Sequence, residues 1–175
     1  MTTIIAVDQS ASQSNRKNKI GYAIFKDGEL SNFGELEAHP PHFKENRDWL
    51  RNRILLTGKF DASDDKDDVC VAVETVYLGL NPKVFAGLLT VKEHLHAVAS
   101  DMGCRYMEIS PIESANVVGA KYSKGGRKEA VMKMVSLMFG LKDLSEHEAD
   151  AIAIGVAADA RLRIEKFQTL TATVE

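Results

Sequence analysis

Two short runs of apolar residues, each ending in a single acidic residue, stand out along the chain. Residues 3–7 lead into Asp8, and residues 69–73 lead into Glu74. A continuous run rich in β-branched residues is typical of a strand buried on both faces of an α/β sheet. Ligands of such sheets collect where parallel strands end, so Asp8 and Glu74 are candidate ligands or catalytic acids. Each could also be an ordinary acidic residue in a turn or at a strand terminus.

The segment between the two runs predicts an antiparallel meander followed by a helix. Strand character resumes over residues 20–26, and the hairpin signal Asp27-Gly28 connects it to a third strand over residues 29–35. Polar residues 11–19 are expected to form a mobile loop between the first two strands. Beyond the meander, the sequence predicts a helix over residues 43–59.

The second half of the chain predicts several helices around one more strand. The helices are expected over residues 82–101, 111–118 and 128–139, and the strand over residues 104–109. The first of these helices has an apolar stripe broad enough to cover the sheet, or partly to face a second subunit. A last helix begins near Ser145, because Ser145 and Glu148 form a capping-box pattern. This helix is expected to end near Lys166.

Composition indicates a single globular domain in the cytoplasm. With 175 residues, 45% hydrophobic and 27% charged, we expect one domain over residues 1–166 and a flexible tail over residues 167–175. No apolar run has the length of a membrane span, and the N-terminus lacks the pattern of a signal peptide. Cys70 and Cys104 are expected to be buried thiols in a reducing compartment. The acidic segment 61–68 lacks the glycine and glutamate that a calcium-binding loop requires, so a solvated loop is expected there.

The distribution of charge points to a phosphate-binding region. The formal net charge of −3 argues weakly against general nucleic-acid affinity, but residues 119–142 contain six basic residues and one acidic residue. These basic residues are Lys121, Lys124, Arg127, Lys128, Lys133 and Lys142. Lysines and a glycine pair in a loop that leads into a helix suit contact with a phosphate backbone. A merely solvated basic loop is the alternative.

A second pair of candidate ligands lies at the start of the last helix. His147 and Asp150 lie three positions apart, so they share one helix face and can share a ligand. Together with Asp8 and Glu74 they form the oxygen and nitrogen donor set that Mg²⁺ or Mn²⁺ binds. Two such ions can activate a water and stabilise the leaving oxygen of a phosphodiester. Carboxylates crowded in this way repel one another unless a cation is bound.

Taken together, these features resemble the RuvC family of Holliday junction resolvases over roughly residues 3–160. The resemblance rests on the strand ending in Asp8, the meander, the basic loop and three motifs. These motifs are Glu74-Thr75-Val76-Tyr77, Asn116-Val117-Val118-Gly119 and His147-x-x-Asp150. It implies an α/β protein with the RNase H-like fold, a mixed central β-sheet of about five strands with helices on both faces.

The resemblance also implies which residues act and on what. Asp8, Glu74, His147 and Asp150 match the family's four catalytic metal-site positions, which would hold Mg²⁺ or Mn²⁺, two ions per site. Tyr77, at the junction centre, and Lys128 are the DNA contacts that the resemblance implies, and the basic segment described above adds Lys121, Lys124 and Arg127. The implied protein is a homodimer that nicks four-way DNA junctions symmetrically, leaving 5′-phosphate and 3′-hydroxyl ends, in the cytoplasm of a bacterium or a phage-infected host.

Two departures from the family pattern leave the substrate open. Gln9-Ser10 and a longer polar insertion replace the usual Pro-Gly-Ser-type turn, and Ser114 stands where a basic residue is frequent. They suggest a phage-type member that cuts branched DNA more broadly. The alternatives are an RNase H-like nuclease acting on structured RNA and a non-catalytic junction-binding module. Actin-like sugar kinases and ATPases share the opening strands, but they need a second domain for which the chain has no room.

Overall fold

The computed structural model describes residues 2–9, 18–38, 69–78, 81–120 and 126–172. Three predicted segments lie wholly or mostly outside these residues. They are the helix at residues 43–59, the acidic loop at residues 61–68 and most of the polar loop at residues 11–19. The basic residues Lys121 and Lys124 also lie outside the described part of the chain.

The described strands form one mixed sheet, as the sequence predicted. They are β1 (Thr3–Asp8), β2 (Asn18–Lys26), β3 (Glu29–Ala38), β4 (Val69–Glu74) and β5 (Arg105–Ile109), in the spatial order β3-β2-β1-β4-β5. Strands β1, β2 and β3 are antiparallel neighbours, whereas β4 is parallel to both β1 and β5. Asp27 and Gly28 both have positive φ, which is the backbone geometry that the Asp-Gly hairpin signal predicts.

Four helices lie in the described part of the chain. They are α1 (Pro82–Met102), α2 (Pro111–Val117), α3 (Arg127–Phe139) and α4 (Glu146–Ala172). Helix α1 begins where the Asn81 side chain accepts hydrogen bonds from the backbone N–H groups of Lys83 and Val84, and it ends at Gly103, where φ is 69°. None of the described helices is both long and apolar enough to cross a membrane.

Three predicted boundaries were wrong. Strand β2 begins at Asn18, so Asn18 and Lys19 belong to the sheet and not to the preceding loop, and β3 continues past residue 35 to Ala38. The reason is that the antiparallel ladder pairs Asn18 with Ala38, which extends both strands together. Helix α4 also continues past Lys166 to Ala172, although its last turns are exposed. The division into a domain and a flexible tail stays a prediction.

Alternation along the strands divides the core between the two faces of the sheet. On one face, Ile4, Ala6, Cys70 and Ala72 pack with α2, α3 and α4. On the other face, Ile5, Val7, Val71 and Val73 pack with Leu95, Val98 and Ala99 of α1. Helices therefore lie on both faces, as predicted. Asp8 and Glu74 continue the first alternating series, so they point to the face that α4 covers.

Helix α4 can lie close to the sheet because both surfaces carry small residues at the contact. A methyl group added at Gly155 would overlap the Phe25 ring, and one added at Gly21 would overlap the backbone carbonyl of His147. Most other contacting residues of the helix are alanines: Ala149, Ala151, Ala153, Ala157 and Ala158. The glycines therefore set the distance between α4 and the sheet.

We expect Gly155→Ala to destabilise the protein, because the new methyl group must push the buried Phe25 ring or the helix away. Overpacking of this kind costs about 1–3 kcal/mol, which lowers Tm by roughly 2–4 °C for each kcal/mol in a chain of this size. Thermal unfolding in EDTA would measure the change. Phe25→Leu should relieve part of the loss in the double variant, whereas additive effects of the two substitutions would argue against this contact.

Candidate active site

The two strand-end acids lie side by side because of the register of the sheet. Strands β1 and β4 are parallel, and their last pairs are Ala6 with Ala72 and Val7 with Val73. Asp8 and Glu74 follow directly, one on each strand. Asp8 is buried, with 6% of its surface exposed. The Glu74 side chain is 23% exposed.

The first turn of α4 brings His147 and Asp150 to the same end of the sheet. The predicted capping box is present: the Glu148 N–H donates to Ser145 Oγ at 3.2 Å, and the Ser145 N–H donates to Glu148 Oε2 at 2.9 Å. This cap fixes where the helix begins. The absence of a side chain at Gly21 lets the backbone of His147 lie against β2.

A direct contact joins the sheet acid to the helix. His147 Nδ1 lies 2.6 Å from Asp8 Oδ2. Because a carboxylate only accepts hydrogen bonds, the imidazole donates from Nδ1. This hydrogen bond is the main reason why the pKa of His147 lies above its ordinary value, and the negative charges of Asp8 and Glu35 add to it. The pair can hold and release a proton at the edge of the site.

The remaining two acids share an electrostatically unfavourable environment. Burial, together with the negative charges of Asp8 and Asp150, raises the pKa of Glu74 to about 7. Burial likewise raises the pKa of Asp150 to about 6, again with a contribution from Asp8. Each of these carboxylates is therefore influenced by another acid of the predicted set. The fold brings all four predicted site residues into one electrostatic neighbourhood.

The four side chains are of the types that bind a hard divalent cation, although they do not form a complete coordination shell. Among the described residues, no group of three or more His, Cys, Asp or Glu side chains is close enough together to hold one ion. Asp8 and His147 are in direct contact, whereas the other acids interact through their charges. A cation would offset the repulsion that raises the two pKa values. The residues therefore fit a cation by donor type and by charge.

Basic residues at the start of α3 face these acids. Arg127 Nη2 lies 3.6 Å from Glu74 Oε1, and Lys128 forms an ion pair with Glu146. Both basic side chains lower the pKa values of Glu74 and Asp150. Tyr77, which follows β4, is 61% exposed. Three of the five predicted DNA contacts therefore lie in the described part of the chain. Arg127 and Lys128 are near the site acids in space, and Tyr77 is three positions after Glu74 in the sequence.

Two residues near the site were missed by sequence reasoning. Glu35 lies in the same cross-strand row as Asp8, because Gly21 pairs with Asp8 on one side and with Glu35 on the other. Its carboxylate accepts a hydrogen bond from Lys19 at 2.7 Å, which is the main reason why its pKa is lowered. Gln9 is the second missed residue: its amide donates to the backbone carbonyl of Glu74 at 2.8 Å. Both residues reach the site through the register of neighbouring strands, which the sequence alone does not give.

Comparison with solved structures identifies the fold. The structure of Thermus thermophilus RuvC in complex with a Holliday junction substrate superposes with a TM-score of 0.68 and 19% sequence identity, covering 93% of this chain and 96% of that chain. A second T. thermophilus RuvC structure gives a TM-score of 0.64 and 18% identity, with 92% and 96% coverage. No protein-family model matches the sequence, and no curated protein is significantly similar to it. The predicted RuvC resemblance and the RNase H-like architecture are thereby confirmed at the level of the fold.

We expect Glu74→Gln to stabilise the metal-free protein at pH 8 and to have little effect at pH 4.5. The folded-state pKa of Glu74 is raised from 4.5 to about 7, so its contribution to stability is present below pH 4.5 and is lost as the pH rises through 7. With screening at a partly exposed side chain, the gain at pH 8 is about 1–2 kcal/mol. That gain corresponds to a rise in Tm of roughly 2–8 °C.

Thermal unfolding in EDTA at both pH values would measure this effect. The matched control is Glu29→Gln, which makes the same change at an exposed position on β3. A Glu74→Gln variant that is equally or less stable than the unsubstituted protein at pH 8 would show that this carboxylate is not electrostatically strained.

Proposed function

We propose that this chain is a divalent-cation-dependent endonuclease that resolves four-way DNA junctions. The observation that carries the proposal is the gathering of Asp8, Glu74, His147 and Asp150 at one end of the sheet. In addition, the chain has a fold similar to that of T. thermophilus RuvC, a protein whose structure has been solved with a Holliday junction substrate. A purely structural role does not account for these four residues, because acidic side chains that are buried close together oppose folding.

The proposed chemistry is hydrolysis of a phosphodiester to 5′-phosphate and 3′-hydroxyl ends. Asp8, Glu74, Asp150 and His147 would hold Mg²⁺ or Mn²⁺, two ions per site, and the cations would supply charge neutralisation and a more acidic water. The hydrogen bond from His147 Nδ1 to Asp8 fixes the tautomer of the imidazole, so Nε2 is the nitrogen that would donate to a cation. Burial of Asp8 keeps bulk water from screening these interactions.

Substrate binding is assigned to groups that surround the acids. Arg127 and Lys128 are partly exposed and can exchange their carboxylate partners for DNA phosphates. Lys121 and Lys124 extend the same basic segment along the chain. The exposed Tyr77 ring offers a surface on which an unstacked base at the junction centre can stack.

The proposed assembly is a homodimer. A four-way junction has two-fold symmetry, so a two-fold dimer presents one active site to each of two equivalent strands and produces paired nicks. Recognition would depend on the shape and phosphates of the substrate more than on base sequence. The polar insertion after Gln9 leads us to propose that other branched DNA is cut as well.

Cleavage of a labelled mobile four-way junction with Mg²⁺ or Mn²⁺ tests the proposal directly. We expect paired symmetric nicks, with Asp8→Asn reducing the cleavage rate by about 10³-fold or more, equivalent to about 4 kcal/mol. Junction binding by Asp8→Asn should persist in EDTA, because the phosphate contacts come from other residues.

Linear duplex, Y-fork and RNA–DNA hybrid substrates serve as controls. Cutting of forks would extend the activity to branched DNA, and cutting of RNA alone would replace the proposal with an RNA-processing nuclease. Binding of junctions without cutting under either metal would instead indicate a non-catalytic junction-binding module.

We expect Lys128→Ala to weaken junction binding and to reduce the dependence of affinity on salt. Loss of one phosphate contact lowers the slope of log K against log [salt] by about 1. Electrophoretic or fluorescence binding titrations over a range of salt concentrations would measure the slope. Lys166→Ala is the matched control, since Lys166 is an exposed lysine of α4 that contacts Thr2 at the opposite end of the sheet. Equal slopes for the two variants would remove Lys128 from the DNA interface.

A further inference from the structure

Gln9 is a buried polar residue directly next to the candidate active site. It follows Asp8 in the chain, and only 5% of its surface is exposed. Its side-chain amide donates a hydrogen bond from Nε2 to the backbone carbonyl of Glu74 at 2.8 Å. One hydrogen bond thus joins the neighbour of one site acid to the backbone of the other.

This hydrogen bond lies just beyond the end of the strand pairing. The last paired residues of β1 and β4 are Val7 and Val73, and the two acids follow them. Asp8 and Glu74 are acidic residues at the ends of neighbouring parallel strands and point to the same face of the sheet, so their negative charges repel each other. Such repulsion tends to part the strands, and the Gln9 amide opposes it at the point where the backbone ladder stops.

The orientation of the amide follows from its partner. A backbone carbonyl only accepts, so the side chain must present its NH₂ group to Glu74. The other amide atom, Oε1, is buried and has no hydrogen-bond partner within the described part of the chain. Gln9 therefore makes its link to Glu74 while leaving its own acceptor unsatisfied, which is unfavourable for a side chain that could instead turn outward to water.

We propose that Gln9 is a positioning residue that joins the ends of β1 and β4 so that Asp8 and Glu74 can bind one divalent cation together. This role rests on the proposed function, because it assumes that the two acids bind one cation together. Gln9 itself need not touch the cation or the substrate. Residues that orient the ligands of a metal from behind typically change its affinity 10–100-fold when they are replaced.

The test is a calorimetric titration of Mn²⁺ into the Gln9→Met variant, freed of metal beforehand. Methionine has nearly the length and shape of glutamine but cannot donate a hydrogen bond. We expect Mn²⁺ affinity to fall at least 10-fold, with junction binding in EDTA unchanged. Thr90→Val is the matched control: it also loses a side-chain hydrogen bond to a backbone carbonyl, that of Ala86 in α1, and should bind Mn²⁺ normally.

The outcomes separate this role from a merely structural one and from the proposed function. Unchanged Mn²⁺ affinity in Gln9→Met would overturn the positioning role while leaving the proposed nuclease intact. An equal loss of Mn²⁺ affinity in Thr90→Val would overturn it too, by showing a general effect of lower stability. If Gln9→Met does not fold, Gln9→Asn, whose shorter amide cannot reach Glu74, is held to the same criterion. Failure of the unsubstituted protein to bind Mn²⁺ would contradict both the positioning role and the proposed function.

Discussion

The close approach of α4 to the sheet is the constraint on which the rest of the structure depends. Gly155 faces the Phe25 ring and Gly21 faces the backbone of His147, and neither contact leaves room for a methyl group. The same helix carries His147 and Asp150 in its first turn. Packing in the middle of α4 therefore determines where its N-terminus lies, and so places two site residues against two others that the strands supply.

The acids gathered in this way are held together against their own repulsion. Burial and neighbouring negative charge raise the pKa values of Glu74 and Asp150, while Arg127 and Lys128 act in the opposite direction. In the absence of other cations, these side chains are the internal counter-ions of the site. A protein that needed only stability would not bury acids so close to one another, because replacing them with neutral residues would remove the penalty. The proposed cation binding gives this strain a reason, because bound cations would offset the repulsion between the acids.

The architecture explains how weak local signals combine into one specific site. Each acid, taken singly, is compatible with a turn, a strand terminus or a helix start. Two parallel strands and one capped helix deliver them to the same end of the sheet, where the hydrogen bond between Asp8 and His147 joins the two layers. Two further polar contacts lie near this hydrogen bond: the Gln9 amide donates to the backbone of Glu74, and Lys19 donates to Glu35.

The sequence by itself determined the features that depend on local chemistry. Apolar runs defined β1 and β4, Asp27-Gly28 defined the hairpin, and Ser145 with Glu148 defined the start of α4, because each is set by neighbours within a few residues. Only the tertiary structure decided the extension of β2 and β3, the placing of Glu35 in the cross-strand row of Asp8, and the contacts of Arg127 and Gln9 with Glu74. These depend on strand register and on the distance between helix and sheet, which arise from packing between residues far apart in the chain.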